Sequence, residues 1–268
     1  MMPMSGRGAP QHDRQAIRRI GMISSGPQIS LDASRLAEFY HDNFVTDQVM
    51  DFGQLVAGQA YDGVVADVGG GCGFFAEALQ RRYGVRVRVL DADALSISEC
   101  NARGIEAELF DALSPRFKGD ERVVTFNLIL HHLVASNDQE TRTLQTRAVA
   151  AWRGRCERVF VNEYIYTGYP LPRLSAWLIW AVTHNKALSL VAGIVGRAVP
   201  SLRANTLGVG VRFRTAEDWK RIFSAAGFAV SGHVQGANEP VGIARRLLLI
   251  RTIRRDSFLL VPRPDEGK

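Results

Sequence analysis

The alternation of apolar and polar positions along the chain predicts strands and helices in a regular order. Short apolar or alternating runs are typical of strands, and most of the stretches between them carry helical spacing. The predicted strands are 63–68, 85–91, 105–110, 122–126 and 158–161. Because helices separate these strands, we predict an α/β fold with a doubly wound parallel sheet and helices on both of its faces.

Start and stop signals mark several of the predicted helices. Gly84 and Gly104 each follow a helical stretch and are suited to its C-terminal end. Ser136, with Gln139 three residues later, is a candidate capping box. This pair predicts the start of the helix that follows the fourth strand.

Residues 166–210 interrupt the regular order with two strongly apolar runs, at 174–182 and 187–199. Neither run reaches the ~20 residues that a membrane span requires, so we interpret this segment as an apolar helical lid. The order then resumes with a helix that Thr215 caps. Two further strands, predicted to form an antiparallel hairpin, are 228–234 and 246–253.

The remaining segments complete the predicted organisation of the chain. Residues 1–30 are rich in Gly, Pro, Ser and Arg without a hydrophobic period, which predicts a mobile basic arm. Residues 31–60 are predicted as an N-terminal helical cap. The main domain then consists of 61–165 and, beyond the lid, 211–268.

Composition and charge narrow the class of protein. The chain of 268 residues is 46% hydrophobic and 22% charged, which excludes a disordered or low-complexity protein. Its net charge of +6 is concentrated in 1–20 and 245–256, which we interpret as a solvated arm and an exposed terminal strand. Three widely spaced cysteines predict reduced thiols in a cytoplasmic protein rather than a disulfide scaffold: Cys72, Cys100 and Cys156.

A glycine-rich loop between the first strand and the next helix is the strongest chemical signal. It has the sequence Asp67-Val68-Gly69-Gly70-Gly71-Cys72-Gly73. Glycines allow a tight turn and a ligand close to the backbone, and the helix N-terminus offers free N–H groups to an anion. The Gly-x-Gly-x-x-Gly pattern of nicotinamide sites fails here, because Phe74 stands where its last glycine belongs.

Two further carboxylates end the following strands. Asp91 ends the second strand and Asp111 follows the third. The carboxyl ends of parallel strands meet at one edge of the sheet, where ligands bind. There Asp91 can accept hydrogen bonds from ribose hydroxyls and Asp111 from an adenine amino group. Together with the loop acid Asp67, they predict a nucleoside-type cofactor.

These segments, with Phe126-Asn127-Leu128-Ile129-Leu130-His131-His132-Leu133, resemble the class I S-adenosylmethionine-dependent methyltransferases of the small-molecule type. The resemblance covers about 60–165 by motif and extends to about 253 by the order of elements. It implies a seven-stranded sheet with one antiparallel strand near the C-terminus, and S-adenosylmethionine as the cofactor, released as S-adenosylhomocysteine. The implied cofactor-binding residues are Asp67, Gly69, Gly70, Gly71, Gly73, Asp91, Ala92, Asp111, Ala112 and Asn127.

The resemblance also places the segment after the fourth strand beside the reactive methyl group. A general base of near-neutral pKa suits an acceptor that arrives protonated, and the candidates are His131 and, in the lid, His184. The candidate substrate-binding residues are His132, Glu163, Tyr164, Trp177 and Trp180. The segment after Asn127 lacks the prolines typical of enzymes that methylate base amino groups. No cluster has metal-ligand spacing.

The expected function is methyl transfer to an oxygen or nitrogen of a small, partly apolar metabolite in biosynthesis. Two alternatives stay open: an RNA or protein methyltransferase that docks through the basic arm, and a non-catalytic cofactor-binding module with a regulatory or assembly role. The expected partner is a small-molecule acceptor rather than nucleic acid, without stable membrane insertion. The apolar segment 166–210 is compatible with a lid, a homodimer interface or a membrane contact.

Overall fold

A computed structural model of the protein describes residues 42–57, 63–169, 171, 173–185, 210–242, 245–246 and 248–264. Three predicted features lie outside the described residues: the arm at 1–30, the first part of the cap at 31–41 and the second apolar run at 187–199.

Seven strands form one sheet. They are β1 (Val64–Val68), β2 (Arg86–Asp91), β3 (Glu106–Leu109), β4 (Glu121–Asn127), β5 (Arg158–Gly168), β6 (Phe228–Gln235) and β7 (Ile250–Pro262). Their spatial order is β3-β2-β1-β4-β5-β7-β6. The first five strands pair in parallel, while β7 runs antiparallel to both of its neighbours. The predicted seven-stranded sheet with one antiparallel strand near the C-terminus is confirmed.

Helices cover both faces of this sheet, as predicted. They are α1 (Asp42–Phe52), α2 (Phe74–Tyr83), α3 (Ala94–Ala102), α4 (Asp138–Ala150), α5 (Leu174–His184) and α6 (Ala216–Ala225). A π-helical turn, Gly53–Ala57, continues α1, and a 3-10 turn, Leu130–His132, follows β4. Helices α1, α2 and α3 pack on one face, and α4 and α6 pack on the other.

The core follows from the period of the strands. Because successive side chains on a strand point to opposite faces, Val123 packs towards Phe52 and Phe75, while Val124 packs towards Trp152. All five of these side chains are almost fully buried. This double core fixes the carboxyl ends of β1, β2, β4 and β5 along one edge.

The predicted capping box at Ser136 is wrong by one residue. Asn137 is the N-cap of α4, and its side chain accepts a hydrogen bond from the Glu140 amide at 2.9 Å. The Ser136 hydroxyl instead bonds the Glu140 carboxylate. Both residue types are strong caps, so the choice between adjacent positions depends on how the chain enters the helix.

The last strand is longer than predicted and is partly buried, although Arg251 on it is exposed. The prediction placed it at 246–253, whereas β7 is paired on both sides. Asp256 is fully buried and accepts a hydrogen bond from Arg254 Nε at 2.7 Å, and Arg255 lies 3.2 Å from Asp47. Pairing within the sheet therefore half-buries Arg254 and Arg255, whereas Arg245, Arg246 and Arg251 are exposed as predicted.

The first apolar run forms α5 over the extended end of β5. Ala176, which is 1% exposed, packs with Tyr166, Ile250 and Ile253. The opposite side of the helix leaves Trp177 47% exposed. In the described part of the chain, no helix combines the length and the apolar character that a membrane crossing requires.

We expect the substitution Thr215→Ala to lower the free energy of unfolding by about 1 kcal/mol, because the Thr215 hydroxyl accepts a hydrogen bond from the Asp218 amide at the start of α6. Urea denaturation measures this change. The matched control is Thr143→Ala, since Thr143 is exposed and bonds only within its own helix; its effect should stay within about 0.5 kcal/mol. Equal effects of the two substitutions would contradict the capping role.

Candidate active site

The glycine loop lies between β1 and α2 and is tied to the end of β2. The Gly69 amide donates to the Leu90 carbonyl at 2.7 Å, and the Gly71 amide donates to Asp91 Oδ2 at 2.9 Å. Gly71 has a φ of +53°, and a Cβ built on it would meet nothing within 4 Å. The backbone at Gly71 therefore faces open space, as a ligand in contact with the loop requires.

Asp91 occupies the position that the sequence predicts for it. Its Oδ2 accepts from Gly71, and its Oδ1 accepts from the Asp93 amide at 2.8 Å. Each carboxylate oxygen retains a further acceptor site. Asp93 is engaged otherwise, because its carboxylate caps α3 through the Ser96 amide. Asp91 is thus held in place by backbone donors beside the glycine loop.

Asp67 and Asn127 form a buried polar pair with unsatisfied oxygens. Asp67 is fully buried, and its Oδ1 accepts from the Thr125 hydroxyl at 2.6 Å and from Asn127 Nδ2 at 3.2 Å. Within the described residues, Asp67 Oδ2 and Asn127 Oδ1 have no hydrogen-bond partner. Burial, partly offset by those two donors, raises the pKa of Asp67 to about 6. Orphaned acceptors on two side chains that bond each other indicate a donor supplied by a ligand, since such atoms are costly to leave unpaired.

Asp111 lies further along the same edge of the sheet. It is exposed, and its Oδ1 accepts a hydrogen bond from the Leu113 amide at 2.8 Å. The neighbouring Ala112 is half-buried against the core. The Phe110 amide, just before them, donates to the Asp91 carbonyl at 2.8 Å. This bond places the start of the Asp111 loop next to the end of β2.

His131 and Glu163 form a buried pair at the ends of β4 and β5. Glu163 is fully buried and His131 is 4% exposed, with His131 Nδ1 2.8 Å from Glu163 Oε2. The amides of Leu130 and Tyr164 also donate to the carboxylate, at 2.7 and 3.2 Å. The sequence suggested that Glu163 contacts an acceptor; instead, its carboxylate is engaged by the protein and orients His131.

His132 stands against His131, with ring centroids 4.2 Å apart. The ring keeps accessible surface. Desolvation by the surrounding protein, followed by repulsion from His131, lowers the pKa of His132. His132 is therefore a neutral, accessible imidazole near physiological pH.

An aromatic group adjoins His131. Phe213 lies 5.0 Å from the His131 ring and stacks on Tyr166 at 4.2 Å, and Tyr164 lies 5.8 Å from His131. The segment before α6 that carries Phe213 is fixed by its backbone, because the Arg212 amide donates to the His131 carbonyl at 2.8 Å. Three elements therefore converge on this histidine.

A network of polar residues also holds the 3-10 turn after β4, Leu130–His132, in place. Gln145 Nε2 donates to the Leu130 carbonyl at 3.0 Å, and its Oε1 accepts from Arg214 Nε at 2.6 Å. Asp138 Oδ1 accepts from both Arg212 and Arg214, at 2.8 and 3.3 Å. Burial lowers the pKa of Arg214 to about 10, which leaves it charged at neutral pH.

Sequence patterns did not single out Phe213, Gln145 or the two arginines. The only local signal is the alternation in Val211-Arg212-Phe213-Arg214 just before the Thr215 cap. That alternation is typical of a strand-like segment, and Arg214 does form a parallel bridge with Ile165 beside β5. The residues that contact this segment come from distant parts of the chain.

The structure does not place the predicted lid residues against the rings around His131. Among described residues, neither Trp177 nor Trp180 makes a ring contact with His131. His184 is the last residue of α5, and its side chain lies outside the described part. A search of the described residues finds no group of three His, Cys, Asp or Glu side chains suited to a metal ion.

Comparison with known proteins places the fold. No protein-family model matches this chain, and no curated protein does. A geranyl diphosphate C-methyltransferase from Streptomyces coelicolor A3(2), solved with S-adenosyl-L-homocysteine, is similar with a TM-score of 0.52 and 13% identity, over 81% of this chain and 78% of that one.

Two further solved structures extend the comparison. An S-adenosylmethionine-dependent methyltransferase from Clostridium acetobutylicum ATCC 824 has a TM-score of 0.53 and 10% identity, over 85% of this chain and 95% of that one. The cyclase SpnF has a TM-score of 0.52 and 11% identity, over 81% of this chain and 80% of that one. Because one fold serves different reactions, chemistry has to be argued from the site. The chain has the fold of the class I S-adenosylmethionine-dependent methyltransferases.

Proposed function

We propose that this chain is an S-adenosylmethionine-dependent methyltransferase that transfers a methyl group to a hydroxyl oxygen of a small, partly apolar metabolite. The observation that carries the proposal is the pair of buried oxygens without donors, Asp67 Oδ2 and Asn127 Oδ1, beside the glycine loop and Asp91. These groups suit a ligand with three features. They are a cationic group, a part that can lie against the exposed loop backbone, and a pair of hydroxyls. The fold shared with the Streptomyces coelicolor methyltransferase supports the same ligand.

The residues along the sheet edge fit the successive parts of S-adenosylmethionine. Asp67 and Asn127 would accept hydrogen bonds from its ammonium group, and the backbone from Gly69 to Gly73 would lie along its methionine part. Asp91 would bind the ribose hydroxyls. The adenine end would then lie near Ala92, Asp111 and Ala112. When bound, S-adenosylmethionine supplies an electrophilic methyl group on a sulfonium sulfur.

His131 is the proposed general base. An ionised carboxylate only accepts hydrogen bonds, so Glu163 fixes the proton on His131 Nδ1 and leaves the lone pair on Nε2. The hydroxyl proton of the acceptor passes to Nε2. The acceptor oxygen would then take the electrophilic methyl group that the cofactor would supply, with the carbon–sulfur electron pair remaining on sulfur. Glu163 stabilises the imidazolium that results.

This pair supports oxygen rather than nitrogen as the acceptor atom. A neutral amine attacks through a lone pair that it already has, whereas a hydroxyl group gains most from losing its proton during the attack. A buried carboxylate that orients a histidine is costly to desolvate, which supports a role in chemistry. The same pair argues against a non-catalytic cofactor-binding module.

Two arginines of the described basic stretch favour a small-molecule acceptor over RNA, while Arg245, Arg246 and Arg251 are exposed. Arg254 is bound to the buried Asp256, and Arg255 pairs with Asp47 and Glu239. Charges matched in this way add little to the attraction of phosphates, which drives non-specific binding of nucleic acid.

We expect the affinity for S-adenosylhomocysteine to fall about tenfold between pH 7 and pH 5. The pKa of Asp67 is raised to about 6 by burial. Below that pH the carboxyl is protonated, so binding of the ammonium group must first expel a proton. Titration calorimetry at pH 5, 6 and 7 measures the effect.

The variant Asp67→Asn should bind more weakly and without this pH dependence. Asp120→Asn is the matched control, because Asp120 pairs with Arg88 at the opposite edge of the sheet and should keep the wild-type profile. A profile that is the same in wild type and Asp67→Asn would contradict the role of Asp67.

We expect His131→Ala to lower methyl transfer about 10²- to 10⁴-fold while changing the affinity for S-adenosylhomocysteine less than threefold. Methyl-labelled S-adenosylmethionine, supplied with hydroxylated and amino-bearing small molecules, measures transfer and the acceptor atom. His233→Ala is the control, since His233 also pairs with a carboxylate, Asp256, but on β6. Transfer to nitrogen alone, or cofactor binding without transfer to any molecule, would refute the proposed reaction.

A further inference from the structure

The aromatic group beside His131 forms an ordered wall at the edge of the core cluster under α5. Tyr166 and Phe213 are stacked with 10° between their planes, and Tyr164 meets Phe213 edge to face at 5.8 Å. Tyr164 and Tyr166 are alternate residues on β5, so they share a face of the strand. Phe213 is half-buried beside them.

The backbone around these rings is fixed by hydrogen bonds. The Tyr166 amide donates to the Arg214 carbonyl at 3.1 Å, and the segment that carries Phe213 also bonds the His131 carbonyl. Residues on strands and on segments paired to strands hold a ligand more accurately than residues on free loops. The three rings are therefore presented to His131 in a set orientation.

The hydroxyl groups of Tyr164 and Tyr166 are the polar part of this wall. Neither hydroxyl has a hydrogen-bond partner in the part of the chain that the structure describes. Neither hydroxyl oxygen is among the fully enclosed side-chain atoms without a partner, so each keeps surface that a ligand can reach. Desolvation by burial raises the pKa of both tyrosines, so both remain O–H donors at neutral pH. Two donors and stacked rings next to a candidate base point to a ligand with oxygen atoms on a flat framework.

We propose that the acceptor is a phenol or an enol on a conjugated ring, held against Phe213 and bound at a second oxygen by the hydroxyls of Tyr164 and Tyr166. This inference rests on the proposed function and names its substrate class. Phe213 and Tyr166 act as specificity-determining residues, while His131 receives the proton of the reacting hydroxyl.

The acidity of the acceptor hydroxyl also supports a phenol or an enol as the substrate. A phenol such as the tyrosine side chain has a pKa of about 10, so its proton passes readily to a histidine base. An alcohol resembles water, whose pKa is about 16, and gives up its proton far less readily to the same base. A ring also gains from offset or edge-to-face contacts with the aromatic wall, which a saturated framework lacks.

The test uses protein loaded with S-adenosylhomocysteine and a panel of phenols and naphthols, each paired with its fully saturated alcohol. Saturation-transfer NMR identifies the members that bind, and calorimetry measures their affinity. We expect an aromatic member to bind at least about tenfold more tightly than its saturated partner. We also expect Phe213→Leu and Tyr166→Phe each to weaken that member about three- to tenfold.

Tyr169→Phe is the control for the loss of a tyrosine hydroxyl, because Tyr169 is 54% exposed and outside the wall; its affinity should equal that of wild type. Saturated alcohols that bind as tightly, variants with unchanged affinity, or a panel without any binder would overturn the inference. Binding of S-adenosylhomocysteine is measured first on the same samples. Its failure would refute the proposed function, whereas its success with a failed panel would refute the acceptor class alone.

Discussion

The buried carboxylate of Glu163 is the interaction on which the site depends. It accepts hydrogen bonds from three backbone amides, those of Leu130, His131 and Tyr164, in addition to the His131 ring. These bonds join the turn after β4 to the strand beside it. A carboxylate at full burial survives only with such a set of donors, so the turn and the carboxylate stabilise each other. The position of His131 therefore depends on the hydrogen bonds that bury Glu163, and not on the contacts of His131 alone.

Further buried polar groups hold this edge of the sheet by hydrogen bonds as well. Gln48 on α1 donates to Asn162, which in turn donates to Ser257 on β7, and the Asn162 carbonyl accepts from the Leu128 amide. Leu128 has a φ of +55°, a strained value for a residue with a branched side chain. The strain lies directly after Asn127, where the chain turns away from β4. Buried hydrogen bonds from distant strands hold the backbone in this unfavourable state.

Local patterns predicted a large part of the architecture. The period of two in Val85, Val87 and Val89 identifies β2, and the spacing of acid and glycines identifies the loop after β1, because both depend on neighbours in sequence. The carboxyl ends of parallel strands must meet at one edge, so the sequence alone predicts that Asp67 and Asp91 lie close together.

What the sequence did not predict depends on partners far along the chain. The burial of Asp256 follows from the insertion of β7 between two other strands, which no local pattern records. The place of Phe213 follows from a bridge between its neighbour Arg214 and Ile165. Capping at Asn137 instead of Ser136 is a smaller case, in which two adjacent residues satisfy the same local rule.

The unsatisfied carboxylate of Asp67 also links the lifetime of this protein to its surroundings. A buried charge without a full set of donors lowers the stability of the ligand-free chain, and a cation that settles against it restores that stability in proportion to its free concentration. The folded fraction, and with it resistance to cellular proteases, thus rises and falls with the supply of that cation.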